Sequence, residues 1–406
     1  MSVPLHRRII GINSYFCMVQ LPPELWDAII GHLGDDRHAL GACGAVCKGW
    51  LPASRFALFG GGAADDVYAS QTFLETTFIM RSIVHQFVAL LDSPNCTLAP
   101  ALRYLRLWNK DPWMNRYMHK FTAFSNLQRL DLDRTYLDGL SPEAWSVLTC
   151  HFPNTVRILR LEYIGCASLQ KLVELVASYR LLEVLCVART IECPHGSLGT
   201  FQLPHNATEF RPSLRTLDLP SEESSIAILN WISSKPAPSV TNFRIYVPEQ
   251  ESYVDSICSF IKLLGLSLER LVLSGGFMLF AVRLAHRLDL SLNTNLRVLD
   301  LGDVILVDHV SHDYIPIVLS RICSHCIEEI SFGLYQLNEN GDIRSNIDLE
   351  WHGARATADI LAQPQLSNLR ALVVRLSYVR SSLRECDARG ILKIVSMAHA
   401  SSSWRD

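Results

Sequence analysis

Apolar residues recur along most of this chain in one short arrangement: apolar, two variable, apolar, one variable, apolar. It reads LRYLRL from Leu102, LQRLDL from Leu127, VRILRL from Val156, LEVLCV from Leu182 and LRTLDL from Leu214. It continues as VTNFRI from Val240, LERLVL from Leu268 and LRVLDL from Leu296, with looser copies IEEISF from Ile327 and LRALVV from Leu369. The start-to-start differences are 25, 29, 26, 32, 26, 28, 28, 31 and 42 residues. Most lie near the period of about 20–29 residues of leucine-rich repeats.

In a strand, alternate side chains share a face. Leu130 and Leu132 of one copy therefore point inward, Asp131 between them points out, and Leu127 enters the same core from the preceding turn. Between copies the apolar spacing turns helical, over Ala167–Tyr179, Ser224–Ser233, Gln250–Leu264 and Asp313–Cys323. One strand–helix unit cannot bury its own apolar face; stacked units can. The expected fold is an α/β leucine-rich-repeat solenoid, with parallel strands on the concave side and helices outside. The Asn or Cys that usually follows the last core leucine is absent, with Thr135, Ile164, Thr190, Glu222 and Gly276 in its place. Irregular turns are expected as a result.

Ahead of the repeats, Pro22 and Pro23 suit a helix entrance, and Leu25, Ile29 and Leu33 form a stripe four residues apart, broadened by Trp26 and Ile30. Gly34-Asp35-Asp36 breaks this helix and offers an N-cap for a second, which carries Leu40, Val46 and Cys47. Gly41-Ala42-Cys43-Gly44-Ala45 is expected to weaken that second helix. Leu21-Pro22, Glu24-Leu25, Ile29, Leu33 and the closing Val46-Cys47-Lys48-Gly49-Trp50 resemble an F-box. The later Phe87-Val88-Ala89-Leu90-Leu91, Ser93-Pro94, Thr97-Leu98-Ala99-Pro100 and Leu349-Glu350-Trp351 are similar to fungal F-box proteins with degenerate leucine-rich repeats.

The resemblance implies a small three-helix F-box over residues 21–59, after an N-terminal tail of residues 1–20. A linker over 60–71, with Gly60–Asp66 as an exposed joint, leads to the solenoid and its C-terminal cap over 72–406. It also implies a role as the substrate-recognition subunit of a Skp–cullin–F-box ubiquitin ligase. Leu21, Pro22, Leu25, Ile29, Leu33, Leu40, Val46, Cys47 and Trp50 would divide between a small core and the contact with the Skp-type adaptor. Through that adaptor the chain would join a cullin–RING ligase, while the repeats hold a protein target. The alternatives are a solenoid cap made from Leu21–Trp50 and a repeat scaffold working outside any ligase.

Composition narrows the classes. The net charge is −3, from 37 basic and 40 acidic residues, which argues against a nucleic-acid binder. No stretch offers the roughly 20 apolar residues of a membrane span, and Ile9–Val19 lacks the cleavage pattern of a signal peptide. The 12 cysteines are scattered through apolar runs, as buried thiols of a reducing compartment would be. A cytoplasmic or nuclear location is the expectation. No phosphate loop, zinc-protease helix or nucleophile elbow occurs. No enzymatic activity and no cofactor are therefore expected.

Four features could carry recognition. On the concave side Tyr104, Arg106 and Trp108 lie beside Asp131 and Arg160, and Arg106, Asp131 and Arg160 are expected to stand in one row. Such a row either contacts a target or merely neutralises itself and supports the sheet. The polar loop Asn338–Ile347 competes for the same role. A basic C-terminal run (Arg370, Arg375, Arg380, Arg384, Arg389, Lys393, Arg405) is more simply a solvated face. His309, His312, Cys323 and Cys326 have paired zinc-like spacing, but an exposed turn and a repeat-end cysteine explain them better, and no metal is expected.

Overall fold

The computed structural model describes residues 22–33, 36–46, 48–60, 78–79, 81–93, 96, 98–108, 113–191, 213–219, 223–234, 239–246, 251–274, 278–306, 314–336, 354–376 and 392–396. Strands are β1 (Phe78–Ile79), β2 (Tyr104–Trp108), β3 (Arg129–Asp133), β4 (Ile158–Gly165), β5 (Val184–Ile191) and β6 (Thr216–Leu219). They continue as β7 (Asn242–Tyr246), β8 (Arg270–Ser274), β9 (Val298–Leu306), β10 (Glu329–Gln336), β11 (Ala371–Leu376) and β12 (Leu392–Ser396). Every copy of the leucine motif has become a strand, β2 to β11. The strands form a single parallel sheet in strict sequence order, the topology of a solenoid.

Helices occupy the connections. They are α1 (Pro23–His32), α2 (Arg37–Val46), α3 (Leu51–Gly60), α4 (Arg81–Leu91), α5 (Leu98–Ala101), α6 (Trp113–Tyr117), α7 (Pro142–Ser146) and α8 (Leu169–Ser178). The series ends with α9 (Glu223–Ser233), α10 (Glu251–Leu264), α11 (Met278–Arg287), α12 (Tyr314–Ser320) and α13 (Ala354–Leu361). From α9 to α13 each helix packs on the next. Leu172, Val173 and Val176 of α8 face the core, as their helical spacing requires.

All three apolar positions of each motif are buried, from Leu102, Leu105 and Leu107 to Leu369, Leu372 and Val374. A fully buried leucine contributes about 1.5–3 kcal/mol. The backbone adds a register lock. The Arg103 carbonyl accepts from the Gln128 and Arg129 amides at 2.8 and 2.9 Å, and the Gln128 carbonyl accepts from Arg157 and Ile158. The pattern repeats without a gap to the Glu328 carbonyl, which accepts from Arg370 and Ala371 at 2.8 and 3.0 Å.

The missing exit-side asparagines have a counterpart just before the strands. In six of the ten copies the residue preceding the motif donates its side chain to a carbonyl of the repeat behind: Asn126 to Pro100 at 2.9 Å, Ser267 to Val240 at 3.2 Å, Asn295 to Leu266 at 2.8 Å. Ser213, Ser239 and Asn368 do the same to Leu182, Leu214 and His325. Buried Asn293 donates to the carbonyls of Ile261 and Gly265 at 2.9 and 3.0 Å. Gly265 takes φ +48° there, a conformation glycine enters without steric penalty.

At the N-terminus Pro23 occupies the first turn of α1, and Asp36 caps α2 by accepting the Ala39 amide at 2.9 Å. The small-residue run does not interrupt α2. Gly44 lies within contact distance of Leu51 and Ser54, where α3 packs. Gly60, expected to open the joint, is instead the last residue of α3. The rest of that joint, 61–66, lies outside the described residues, as do residues 1–20 and 67–72. α3 also packs against α5, so the three helices are seated on the first repeat.

Asn293→Ala should destabilise the chain by about 1–3 kcal/mol, because a buried hydrogen bond to the Ile261 carbonyl and a part-buried one to the Gly265 carbonyl are lost together. Asn295→Ala, at an exposed turn, should cost less than about 1 kcal/mol. Urea unfolding of the two variants decides this, and equal shifts would remove the structural role given to Asn293.

Candidate functional site

The three-helix unit leaves apolar side chains in water. Leu25 is 49% exposed, Ile29 47% and Val46 64%. Leu25 and Ile29 lie one turn apart on α1, while Ile30 and Leu40 are each 1% exposed and close the core. Leu40, grouped on sequence grounds with the contact residues, therefore belongs to the interior. Pro22 is exposed, and Leu33 and Trp50 are half-buried. The Trp50 ring lies 4.5 Å from that of Trp26, consistent with an anchoring role. Leu21 and Cys47 lie outside the described residues.

On the face of the sheet away from the core leucines the register places Arg106 beside Asp131 and Asp131 beside Arg160. The row expected from the motif spacing exists, but its ion pairs do not run along it. Asp131 is 3% exposed and is held by Arg129 at 3.0 Å and by the Tyr104 hydroxyl at 2.8 Å. Arg129 also lies over the Tyr104 ring, 4.6 Å from its centroid. Burial, with the Asp131 charge beside it, pushes the Tyr104 phenol well above its ordinary pKa. Tyr104 and Asp131 thus act as supports beneath the surface rather than as exposed contacts. Arg106 pairs with Asp133 at 2.7 Å and reaches Glu162 at 3.5 Å, and Arg160 reaches the same Glu162 oxygen at 3.4 Å. The long arginine stems lean along the strands to the next carboxylate, which breaks the simple lateral pairing.

The row continues into Cys186, Asp218 and Arg244. The Cys186 thiol donates to Asp218 at 3.5 Å, and burial raises the pKa of both groups. Cys186 is buried in this section, and Asp218 and Arg244 are half-buried.

The open part lies at the strand ends. Arg134 follows β3, and Tyr163 bulges from β4 where the register with β5 shifts. Both hold left-handed backbone, φ +50° and +51°, at a cost of roughly 1–2 kcal/mol each for a side chain with a Cβ. The Arg134 amide donates to the Glu162 carbonyl at 2.9 Å, which ties the two turns together. The Arg134 guanidinium lies over two aromatic rings, 5.9 Å from the centroid of Trp108 and 5.2 Å from that of Tyr163. Trp108 is fixed in turn by the Trp113 indole N–H, which donates to its carbonyl at 3.0 Å. Tyr136 nearby in the chain is 49% exposed.

Sequence reasoning placed Trp108, Arg106 and Arg160 on this side and missed Arg134 and Tyr163. Their signal is an Arg or Tyr two residues past the last core leucine (Leu132, Leu161), where glycine would relieve the turn.

Other sequence candidates are less developed. Asn338–Ile347, His309 and His312 lie outside the described residues. Cys323 and Cys326 are exposed free thiols, and no group of three metal-ligating side chains converges among the described residues. In the basic C-terminal run, Arg375 crosses to Asp300 at 2.8 Å and Arg370 lies 3.9 Å from Glu328. Among the described residues no helix is long and apolar enough to cross a membrane.

No family model and no curated protein matches the chain. Among solved structures it is similar to a leucine-rich-repeat protein of Leptospira interrogans, with 15% identity and a TM-score of 0.27. The match covers 69% of this chain and 62% of that one, so the chain spans less than two thirds of that protein's length. The leucine-rich-repeat architecture rests on the sheet order and on the buried motif positions themselves.

Tyr104→Phe should cost about 1–2 kcal/mol in stability, since buried Asp131 loses a hydroxyl donor. Thermal unfolding checks it; an unchanged midpoint would mean that Arg129 alone satisfies the carboxylate.

Proposed function

We propose that this chain is a non-catalytic substrate receptor of a Skp–cullin–F-box type ubiquitin ligase. The three N-terminal helices would bind the Skp-type adaptor, and the concave side of the solenoid would hold the target protein. The observation that carries this reading is the exposure of Leu25, Ile29 and Val46 on a unit whose core is already closed by Ile30 and Leu40. Apolar side chains left in water by a unit this small mark a partner surface, and they stand at positions of the F-box-like pattern. The seating of α3 on α5 supports the same role, because it would hold a bound target at a fixed position relative to the ligase. Trp108, Arg134 and Tyr163 at the strand ends supply the residue types that dominate protein interfaces. Ubiquitin transfer would be the work of other subunits, so this chain needs no nucleophile or cofactor.

The α3–α5 contact also fits a second reading, in which the three helices cap a repeat scaffold that works outside any ligase. The adaptor separates the two. Leu25→Asp and Ile29→Asp should each abolish capture of the purified Skp-type adaptor by the full chain. Both side chains are about half exposed, so thermal stability should change by no more than about 0.5 kcal/mol. Capture that survives both substitutions, or no capture by the unaltered chain, leaves the scaffold reading in place.

A further inference from the structure

We infer that the rim formed by Trp108, Arg134 and Tyr163 binds an acidic segment of a partner protein, with Arg134 meeting its carboxylates. The inference rests on the concave side being the target surface, and it is independent of the adaptor.

The carboxylates on this part of the sheet are already matched. Asp131 is held by Arg129 and Tyr104, Asp133 by Arg106, and Glu162 by Arg106 and Arg160. The Arg134 guanidinium differs. Among the described residues it makes no hydrogen bond, and the carboxylate oxygen beside it, Asp133 Oδ1, is 4.0 Å away. That oxygen is itself buried and without a hydrogen bond, so Asp133 presents little of its charge to a ligand. The arginine side chain is 48% exposed.

The guanidinium carbon lies over both rings, and since the group makes no hydrogen bond among the described residues, its N–H groups are left for a planar carboxylate to engage with two parallel bonds. A side chain held in place before binding also loses less entropy when the partner arrives. The backbone points the same way. Glycine would occupy either left-handed position without strain, yet adjacent turns carry Arg134 and Tyr163, and their side chains converge. Strain of this kind persists where the surrounding structure enforces it, and it clusters at sites of function. Charge selects the ligand. The local set is Arg106, Arg129, Arg134 and Arg160 against Asp131, Asp133 and Glu162, a net of +1 by count (4 − 3) on a chain of net charge −3. One guanidinium without a hydrogen bond, among three carboxylates, suits a singly charged carboxylate better than the dianion of a phosphorylated residue.

The test uses the full chain and labelled peptides of equal length: one glutamate-rich, with glutamine, lysine and phosphoserine counterparts. Fluorescence anisotropy should show the glutamate peptide binding tightest, and its affinity should fall as salt is added. Arg134→Gln should weaken it by roughly tenfold or more. Arg157→Gln, which removes an exposed arginine paired with Glu183 outside this rim, should leave it unchanged. Arg134→Gly should abolish binding and raise the melting temperature, since it relieves the left-handed turn while removing the guanidinium. Tightest binding by the glutamine, lysine or phosphoserine peptide overturns the acidic assignment, as does an Arg134→Gln variant that binds normally. If one of those other peptides binds and Trp108→Ala abolishes it, the target-surface reading survives and only the ligand chemistry falls. If no peptide responds to Trp108→Ala, the target-surface reading falls as well.

Discussion

At the second position of the leucine motif, one backbone carbonyl accepts two amide protons from the next repeat, and that repeat's own carbonyl does the same for the one beyond. This chain of shared acceptors runs unbroken from Arg103 to Glu328. It fixes register before any side chain is considered. A slip of one residue would turn every core leucine outward and would leave buried amides without acceptors, at a cost of about 1–3 kcal/mol per group. The leucines then supply the driving force and the carbonyl chain supplies the alignment. In six copies a Ser or Asn side chain just before the motif reaches back to the repeat behind and ties down the turn that this alignment leaves open.

The same division explains which parts of the molecule could be read from residues alone. The ten strands were legible because burial demands apolar residues at fixed spacing, and the helices at 169–178, 223–233 and 251–264 fell within a few residues of their expected bounds for the same reason. β1 and β12 were not legible, since β1 is only two residues long and β12, LKIVS, lacks the leucine motif. The missing exit-side asparagine was visible, but the compensating ladder was not. Six different repeats use Ser or Asn just before the motif, a position where polar residues look like ordinary turn chemistry.

The candidate surface was legible only in part, and the reason is geometric. Motif spacing correctly assigns Arg106, Asp131 and Arg160 to one row. It cannot say that Tyr104 and Asp131 sink beneath Arg129, because side-chain reach differs between a short aspartate and a long arginine. Nor does alternation extend past the strand. Arg134 and Tyr163 sit where the chain leaves the β region, and there the two-residue period that sorts inside from outside no longer applies. The arginine–aromatic cluster therefore depends on backbone conformations that the motif does not encode.

A solenoid gives such conformations unusual support. Each repeat is held on both sides by neighbours with the same hydrogen-bond pattern, so a strained turn at one strand end is clamped by backbone it cannot displace. The Arg134 amide bonded to the Glu162 carbonyl, and the Gly165 amide bonded to Thr135, fasten the two left-handed turns to each other across adjacent strands. Thr135 and Ile164, which replace the usual asparagine, are both fully buried and anchor these turns from beneath. Loss of the exit-side ladder and gain of the exposed arginine–aromatic rim are thus linked. Where an asparagine would have tied the chain to the sheet, Ile164 is held by apolar burial and Thr135 by burial and by its hydroxyl, which donates to the Asp133 carbonyl at 3.3 Å, and the preceding residues, Arg134 and Tyr163, are left at the strand ends.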